Sequence, residues 1–433
     1  MPGLALANEI IVALRRSGWK ALLVGGCVRD RLLGVTPKDY DVATDARPDE
    51  LLRLLPRAQP VGAHFGVVLV PGDDAQVEVA TFRSEGEYTD GRRPDAVQFV
   101  TDPAEDARRR DFTINGLFED PLSGQILDTV GGQADLRAGV IRAIGNAANR
   151  FQEDHLRMLR AVRFAARLGF EMEAGTLAAI KQEARQIAKI SAERIREELI
   201  RILTQGHAKR GVELLDESGL LEHVLPEVKA FHGVEQPPEF HPEGDVWTHV
   251  MLMLDQMRQP EPALALGVLL HDVAKPATFR VADRIRFDGH AELGAQMTRQ
   301  ILARLKFSND EIDQASLLVE NHMKFKDVRK MRLSTLKRFL RLPHFEQHME
   351  LHRLDCLASN GRTDSYDFVR EKQAEFGVEE LRPPRLLNGM DLIRAGFQPG
   401  PRFGEALELV ESAQLEGEVT TPEEALELAR SVL

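Results

Sequence analysis

The hydrophobic pattern changes character near residue 149, and that change limits the architectures open to the chain more than any other feature. Before it, short β-branched runs alternate with helix-like segments. ALLV (21–24), YDVAT (40–44), GVVLV (66–70) and VEVATF (77–82) are bounded by Gly, Pro or Asp, as strands are. The N-terminal segment and RPDELLRLL (47–55) carry helical spacing. After residue 149, apolar residues recur at helical spacing and no strand signal appears. Punctuation comes from EQPPEFHPEGD, LRPPRLLNG and GFQPGPRFG. The expected fold is α+β, a small sheet-containing head ending near residue 145 followed by a long all-helical body.

A chain of 433 residues is long enough for two to four domains with real cores. It lacks a run of about 18 apolar residues, so no membrane partner is expected. Its N-terminus places charge after the apolar residues, as in an amphipathic helix and unlike a secretion signal. Cys27 and Cys356 are the only cysteines, which excludes a disulfide framework and suits a cytoplasmic location. The net charge of −12 argues against nucleic acid as an average property. Local clusters run the other way: Arg108 to Arg110 are consecutive, and Lys324, Lys326, Arg329, Lys330, Arg332, Lys337, Arg338 and Arg341 crowd one region. The second cluster is a candidate RNA-contact surface, against the plainer alternative of a solvated helix face.

The stretch LLVGGCVRDRLLGVTPKDYDVAT (22–44) concentrates chemistry. Asp39 and Asp41 stand at i and i+2, so on a strand their side chains leave one face. Two like charges this close call for a cation, and oxygen donors beside a phosphate substrate suit Mg2+. Glu78 is a candidate third carboxylate from a neighbouring strand. Gly25 and Gly26 form a strand-to-helix turn whose N–H groups can approach phosphates, and Arg29 adds a cation. An isolated D-x-D or Gly-Gly is usually structural; the ordered combination favours a nucleotide triphosphate beside paired metal ions.

GGCVRDRLLG, KDYDV, TFRSEGEYTDGRRPDAVQF, RRRDFTINGL and EDHLRMLRAVRFAARLGF, in this order, resemble the class II tRNA nucleotidyltransferase and bacterial poly(A) polymerase family. The likeness covers about residues 20–205 and implies a head related to DNA polymerase β. It implies metal binding by Asp39 and Asp41, with Glu78 as third acid. It further implies phosphate contacts from Gly26 and Arg29, with Gly25 in the same turn, and sugar recognition by Arg110, Asp111 and Asn115. In the EDxxR motif, Glu153, Asp154 and Arg157 would read the incoming base, with Arg160 and Arg163 continuing the stripe. A carboxylate accepts from an exocyclic amine and a guanidinium donates to a ring acceptor, so one Asp/Arg pair admits C and A and rejects U and G. An isolated D-x-x-R would be an ordinary helical ion pair. The loop 84–96 resembles the family's element for switching from C to A addition.

Farther on, His249, His271–Asp272, His290, His322 and Asp355 resemble the ligand set of HD-type phosphohydrolases, implying a transition-metal centre. The alternative is a helical RNA-binding scaffold with a vestigial site.

These readings give a catalytic head over 1–145, a helical neck with the base-recognition motif over 146–235, an HD-type domain over 236–365 and a helical tail over 366–433. The resemblance implies addition of C and A to the tRNA 3′ end from CTP and ATP. Two other readings stay open: an A-adding enzyme or poly(A) polymerase, the former with a separate CC-adding partner, and an HD-type phosphohydrolase.

Overall fold

The structure is a computed structural model and describes residues 2–62, 66–85 and 97–433. It divides into two compact units, Met1–Lys229 and Ala230–Leu433.

The first unit is built on a seven-stranded sheet. Its strands are β1 (Ala21–Val24), β2 (Tyr40–Thr44), β3 (Gln59–Gly62), β4 (Val67–Pro71), β5 (Gln76–Thr81), β8 (Phe118–Glu119) and β9 (Ile126–Leu127). A separate hairpin pairs β6 (Arg83–Glu85) with β7 (Val97–Phe99). The spatial order is β3-β4-β5-β2-β1-β8-β9. Among the described strands of this sheet only β2 and β5 pair in parallel, with Asp41 directly opposite Glu78. Ala7, Ile10, Ile11 and Leu14 form one buried stripe of the helix Pro2–Arg16, which packs against β1, β2 and β5. Burial of each large apolar side chain contributes about 1.5–3 kcal/mol. Val24, Ala43, Phe82, Ala107 and Phe118 make a second small core, with the Phe82 and Phe118 rings edge to face at 6.0 Å.

Helices take over from Ala147. The stretch expected as one helical run is two helices, Ala147–Glu153 and Leu156–Leu168. Asp154 breaks them with extended backbone (φ −145°, ψ 103°), and its carboxylate accepts from the Leu156 N–H at 3.1 Å. An Asp that bonds the backbone locally favours a break over continuation.

The second unit is helical, apart from the two-residue strands Arg280–Val281 and Ile285–Arg286. Another short pair, Val140–Ile141 with Glu171–Met172, joins the head to the following helices in the first unit. Both pairs escaped the sequence reading because two residues carry no periodicity. Gly267 allows a close helix approach: a Cβ there would lie 2.9 Å from Leu318 Cδ1. Phe325, Val328, Leu336, Phe339, Leu340, Phe345, Met349 and Val369 form one core, and Leu387, Leu392, Ala406, Val410 and their neighbours another.

Half of the basic cluster is held by other segments of the protein. Lys337 Nζ donates to the Leu415 carbonyl, Arg338 and Arg341 pair with Glu411, and Arg329 donates to the Asp364 carbonyl. These cations fasten the helix Leu333–Leu340 and its neighbour to later helices. The expectation of one RNA-facing basic surface over 324–341 is corrected to that extent.

Candidate active site and histidine centre

In the first unit, Asp39 lies at the bend before β2, Asp41 within it and Glu78 opposite on β5. Burial pushes the Asp41 carboxyl up to about 6, and the charges of Glu78 and Asp39 push the same way against Arg110. Such a site favours a cation, and its all-oxygen donor set fits a hard divalent ion. The tight ligand clusters among the described residues all lie in the second unit; the oxygens of Asp39, Asp41 and Glu78 are more widely spaced.

The glycine turn adjoins this acid group. Gly25 has φ +74°, a conformation L side chains rarely adopt, and its N–H donates to the Leu117 carbonyl. A Cβ there would lie 3.2 Å from Arg110 Nη1. Arg110 therefore brings positive charge to the turn, while Asp106 holds its other edge at 2.9 Å. Gly26 opens the short helix Gly26–Leu32. Arg29, assigned from sequence to phosphate, is instead buried. It donates to Asp30 and, at 2.7 Å, to Asn115 Oδ1, and its guanidinium covers the Phe164 ring. Its bonds tie the Gly26–Leu32 helix to Asn115, four residues after Asp111.

Asp111 and Asn115 continue the network. Asp111 accepts from Asn115 Nδ2 at 3.1 Å and from Arg160 Nε at 2.8 Å. Burial alone would raise the Asp111 carboxyl, but Arg160, Asn115 and Arg157 hold it well below the usual carboxylate range. Asp154 and Arg157 are close in sequence yet hold different partners. Arg194 grips both oxygens of Asp154, at 3.2 and 2.8 Å. Arg157 donates to Glu153 and to the Arg150 and Arg109 carbonyls. Arg163 pairs with Glu198 at 2.6 Å, both nearly excluded from solvent. Phe164 supports Arg29, Arg160 and Arg163 around its ring. The sequence carries no signal for the roles of Asp106, Phe164, Arg194 and Glu198. The loop assigned to nucleotide switching, 84–96, lies outside the described residues from residue 86 to its end.

The second unit brings all six HD-type residues together. His249 lies in the helix Val246–Gln256, His271–Asp272 follow Pro262–Leu270, His290 opens His290–Arg304, His322 ends Asn309–Asn321 and Asp355 lies in Phe345–Ala358. Two groups of ligand atoms form, His249–His271–Asp355 and Asp272–His290–His322. Asp272 links them: one oxygen is 3.1 Å from His271 Nε2, the other 3.7 and 3.9 Å from those of His290 and His322. The Nε2 atoms of His290 and His322 are 3.2 Å apart. Two imidazole lone pairs at that distance repel unless a proton or cation lies between them, which fits a transition-metal site. Burial drives His322 down to about 3, favouring the neutral ligand form. Lys275, absent from the sequence reading, pairs with Asp272 at 2.8 Å and bonds Gln236. Beside the centre opens a cavity of about 440 Å3, lined partly by Lys275, Arg284, Arg286, Lys326, Phe287 and Arg362.

Among the described residues no helix is long and apolar enough to cross a membrane. Three family models match in chain order: the poly(A) polymerase head domain over 21–142, the RNA and SrmB binding site of polymerase A over 169–231, and tRNA nucleotidyltransferase domain 2 over 290–429. A CCA-adding enzyme of Oceanobacillus iheyensis is 46% identical over 209 residues, so the match spans about half of either chain (48% and 52%). The CCA-adding enzyme of Latilactobacillus sakei is 33% identical over 98% of this chain and 97% of its own. A crystal structure of the Bacillus stearothermophilus CCA-adding enzyme in complex with CTP superposes over 100% of this chain and 98% of its own, with a TM-score of 0.76 and 29% identity. With a relative matching nearly end to end and three family models matching in chain order, this chain belongs to the CCA-adding enzyme family and is a nucleotidyltransferase.

Proposed function

We propose that the protein adds C and A to the 3′ end of tRNA from CTP and ATP without a nucleic-acid template, in the cytoplasm. The observation that carries this reading is the convergence of Asp41, Glu78 and Arg110 beside the Gly25 turn in a chain of this family. The tRNA 3′-hydroxyl would attack the α-phosphate, forming the new phosphodiester and releasing pyrophosphate. Asp39 and Asp41, with Glu78 nearby, would hold Mg2+, which supplies charge neutralisation and Lewis acidity to the displacement. Gly25 and Gly26 let backbone N–H groups approach the triphosphate, and Arg110 faces the same turn. Arg29 enters as the residue that positions Asn115, in place of a free phosphate arm. Asp111 and Asn115 would meet the sugar, with Arg160 fixing Asp111.

Asp154 and Arg157 would read the base, Asp154 aimed by Arg194. Replacing Asp154 by alanine is expected to relax selection of CTP and ATP over UTP and GTP by about 10- to 100-fold, the worth of one bidentate base contact. Single-turnover incorporation of each nucleotide measures this; undiminished selectivity would remove Asp154 from base reading. We assign the head to 1–145, the neck to 146–235, an HD-type domain to 236–365 and the tail to 366–433. In the HD-type domain the histidine cluster would hold transition-metal ions and support a secondary phosphohydrolase activity.

The deciding experiment offers the purified protein, with Mg2+, three tRNA transcripts ending before CCA, after C and after CC. CTP and ATP are supplied singly and together and the products sequenced. Completion of CCA on the shortest transcript supports the proposal. Extension of the CC-ended transcript alone by one A would make it an A-adding enzyme, dependent on a CC-adding partner, and a run of A residues would make it a poly(A) polymerase.

A further inference from the structure

Three of the four histidines in the centre are aimed in the same way. His271, His290 and His322 donate Nδ1–H to the carbonyls of Val268, Phe287 and Val319, at 3.0, 2.7 and 2.6 Å. In each case the acceptor lies three residues earlier, Val268 and Val319 in the last turn of their helices and Phe287 in the turn that leads into His290–Arg304. Each ring then turns Nε2 toward the cluster.

His249 does not use this device. It sits in the first turns of Val246–Gln256, where carbonyls feed the helix. Its Nδ1 donates instead to Glu243 Oε1 at 2.7 Å, and its Nε2 lies 3.2 Å from Asp355 Oδ1, off the line of a hydrogen bond. The approach of Glu243 is built in. Gly244 turns the chain with φ +125°, and Asp245 caps the helix through Thr248 N–H while accepting from Gly233 N–H. Glu243 is itself nearly buried, and the same Oε1 accepts from His241 Nδ1 at 2.9 Å.

We propose that Glu243 is the positioning residue of the His249–His271–Asp355 end of the centre. It fixes the His249 tautomer and, being charged where the other acceptors are neutral carbonyls, makes that ring the stronger donor to a cation. The two ends are therefore inequivalent, and only one depends on a side chain outside the ligand set. This inference rests on the reading of the histidine cluster as a metal centre.

The test titrates chelator-stripped full-length protein with Co2+, followed by calorimetry and visible absorption. Wild type is expected to bind at both ends. In Glu243→Ala one binding step should weaken about 10- to 100-fold while the other keeps its affinity. Glu243→Gln should fall between, because its amide oxygen accepts the same bond without the charge. Nucleotide incorporation by the head should be unchanged in both variants, which checks the fold. Wild-type affinity at both steps in the alanine variant would overturn the proposal and leave the centre standing. Should alanine disrupt folding, wild-type affinity in the glutamine variant overturns it equally. Wild-type protein that binds no more Co2+ than a His271→Ala variant would overturn the metal centre and the proposal together.

Discussion

Replacing Asp41 by asparagine is expected to abolish nucleotide addition while making the metal-free protein more stable. Asp41 is a half-buried carboxylate facing Glu78 and close to Asp39, and its carboxyl sits near 6 in the fold. An unperturbed Asp titrates near 4. The folded state therefore binds this proton more tightly than the unfolded chain does, and stability falls as pH rises from about 4 to about 6. Above pH 6 the full penalty is in place, up to about 3 kcal/mol at 1.36 kcal/mol per pKa unit. Asparagine keeps the size and removes the charge. In chelator at pH 7.5 the variant should melt several degrees higher, by about 2–4 °C for each kcal/mol recovered. At pH 4 and below the gain should vanish. Incorporation of both CMP and AMP should drop about 1,000-fold or more, since a lost metal ligand removes several kcal/mol of transition-state stabilisation. Incorporation above a tenth of wild type would sink the assignment of Asp41. A stability gain independent of pH would show that the carboxylate is not strained by its neighbours.

Much of this arrangement could be read in advance, for reasons that differ by residue. β1, β2, β4 and β5 were recognisable because they are β-branched and bounded by turn residues. Asp41 and Glu78 lie in those strands, so their placement followed from pairing two recognisable elements. The helix break at Asp154 was not readable, because apolar spacing runs on across it. Its partner Arg194 is 40 positions away, and Glu198 is 35 from Arg163. Local spacing cannot name a pairing that forms only when two helices pack. Arg29 misled for a related reason: a cation after a glycine turn suits a phosphate, but burial against Phe164, Asp30 and Asn115 uses it inside the protein. The six HD-type residues converge from five places along the chain, yet the carboxylate that aims His249 lies on an irregular segment whose direction depends on the positive φ of Gly244.

The largest stability loss should come from the pairing that sequence could not name. Glu198 and Arg163 are both under a tenth exposed, and Glu198 also accepts from Arg201. Glu198→Ala leaves the Arg163 guanidinium buried without its carboxylate, which costs about 3–5 kcal/mol. Burial already lowers the Arg163 pKa, Glu198 opposes that shift, and Arg160 repels it. Once Glu198 is gone, that repulsion is no longer offset. Arg160 is the residue that clamps Asp111, and Phe164 lies under both guanidiniums. The damage should therefore reach beyond stability, raising the KM for CTP and ATP through a loosened Asp111. Thermal melting should fall by about 6–20 °C, given 2–4 °C per kcal/mol in a unit of this size. The cause can be separated from simple loss of packing. Replacing the pair together, Arg163→Met with Glu198→Leu, removes both charges at similar volume and should recover most of the melting temperature. If the double variant is no more stable than the single one, packing against Phe164 and not the unpaired charge sets the cost. If Glu198→Ala melts within 2–4 °C of wild type, a loss of about 1 kcal/mol, the buried pair is not what holds this helix in place.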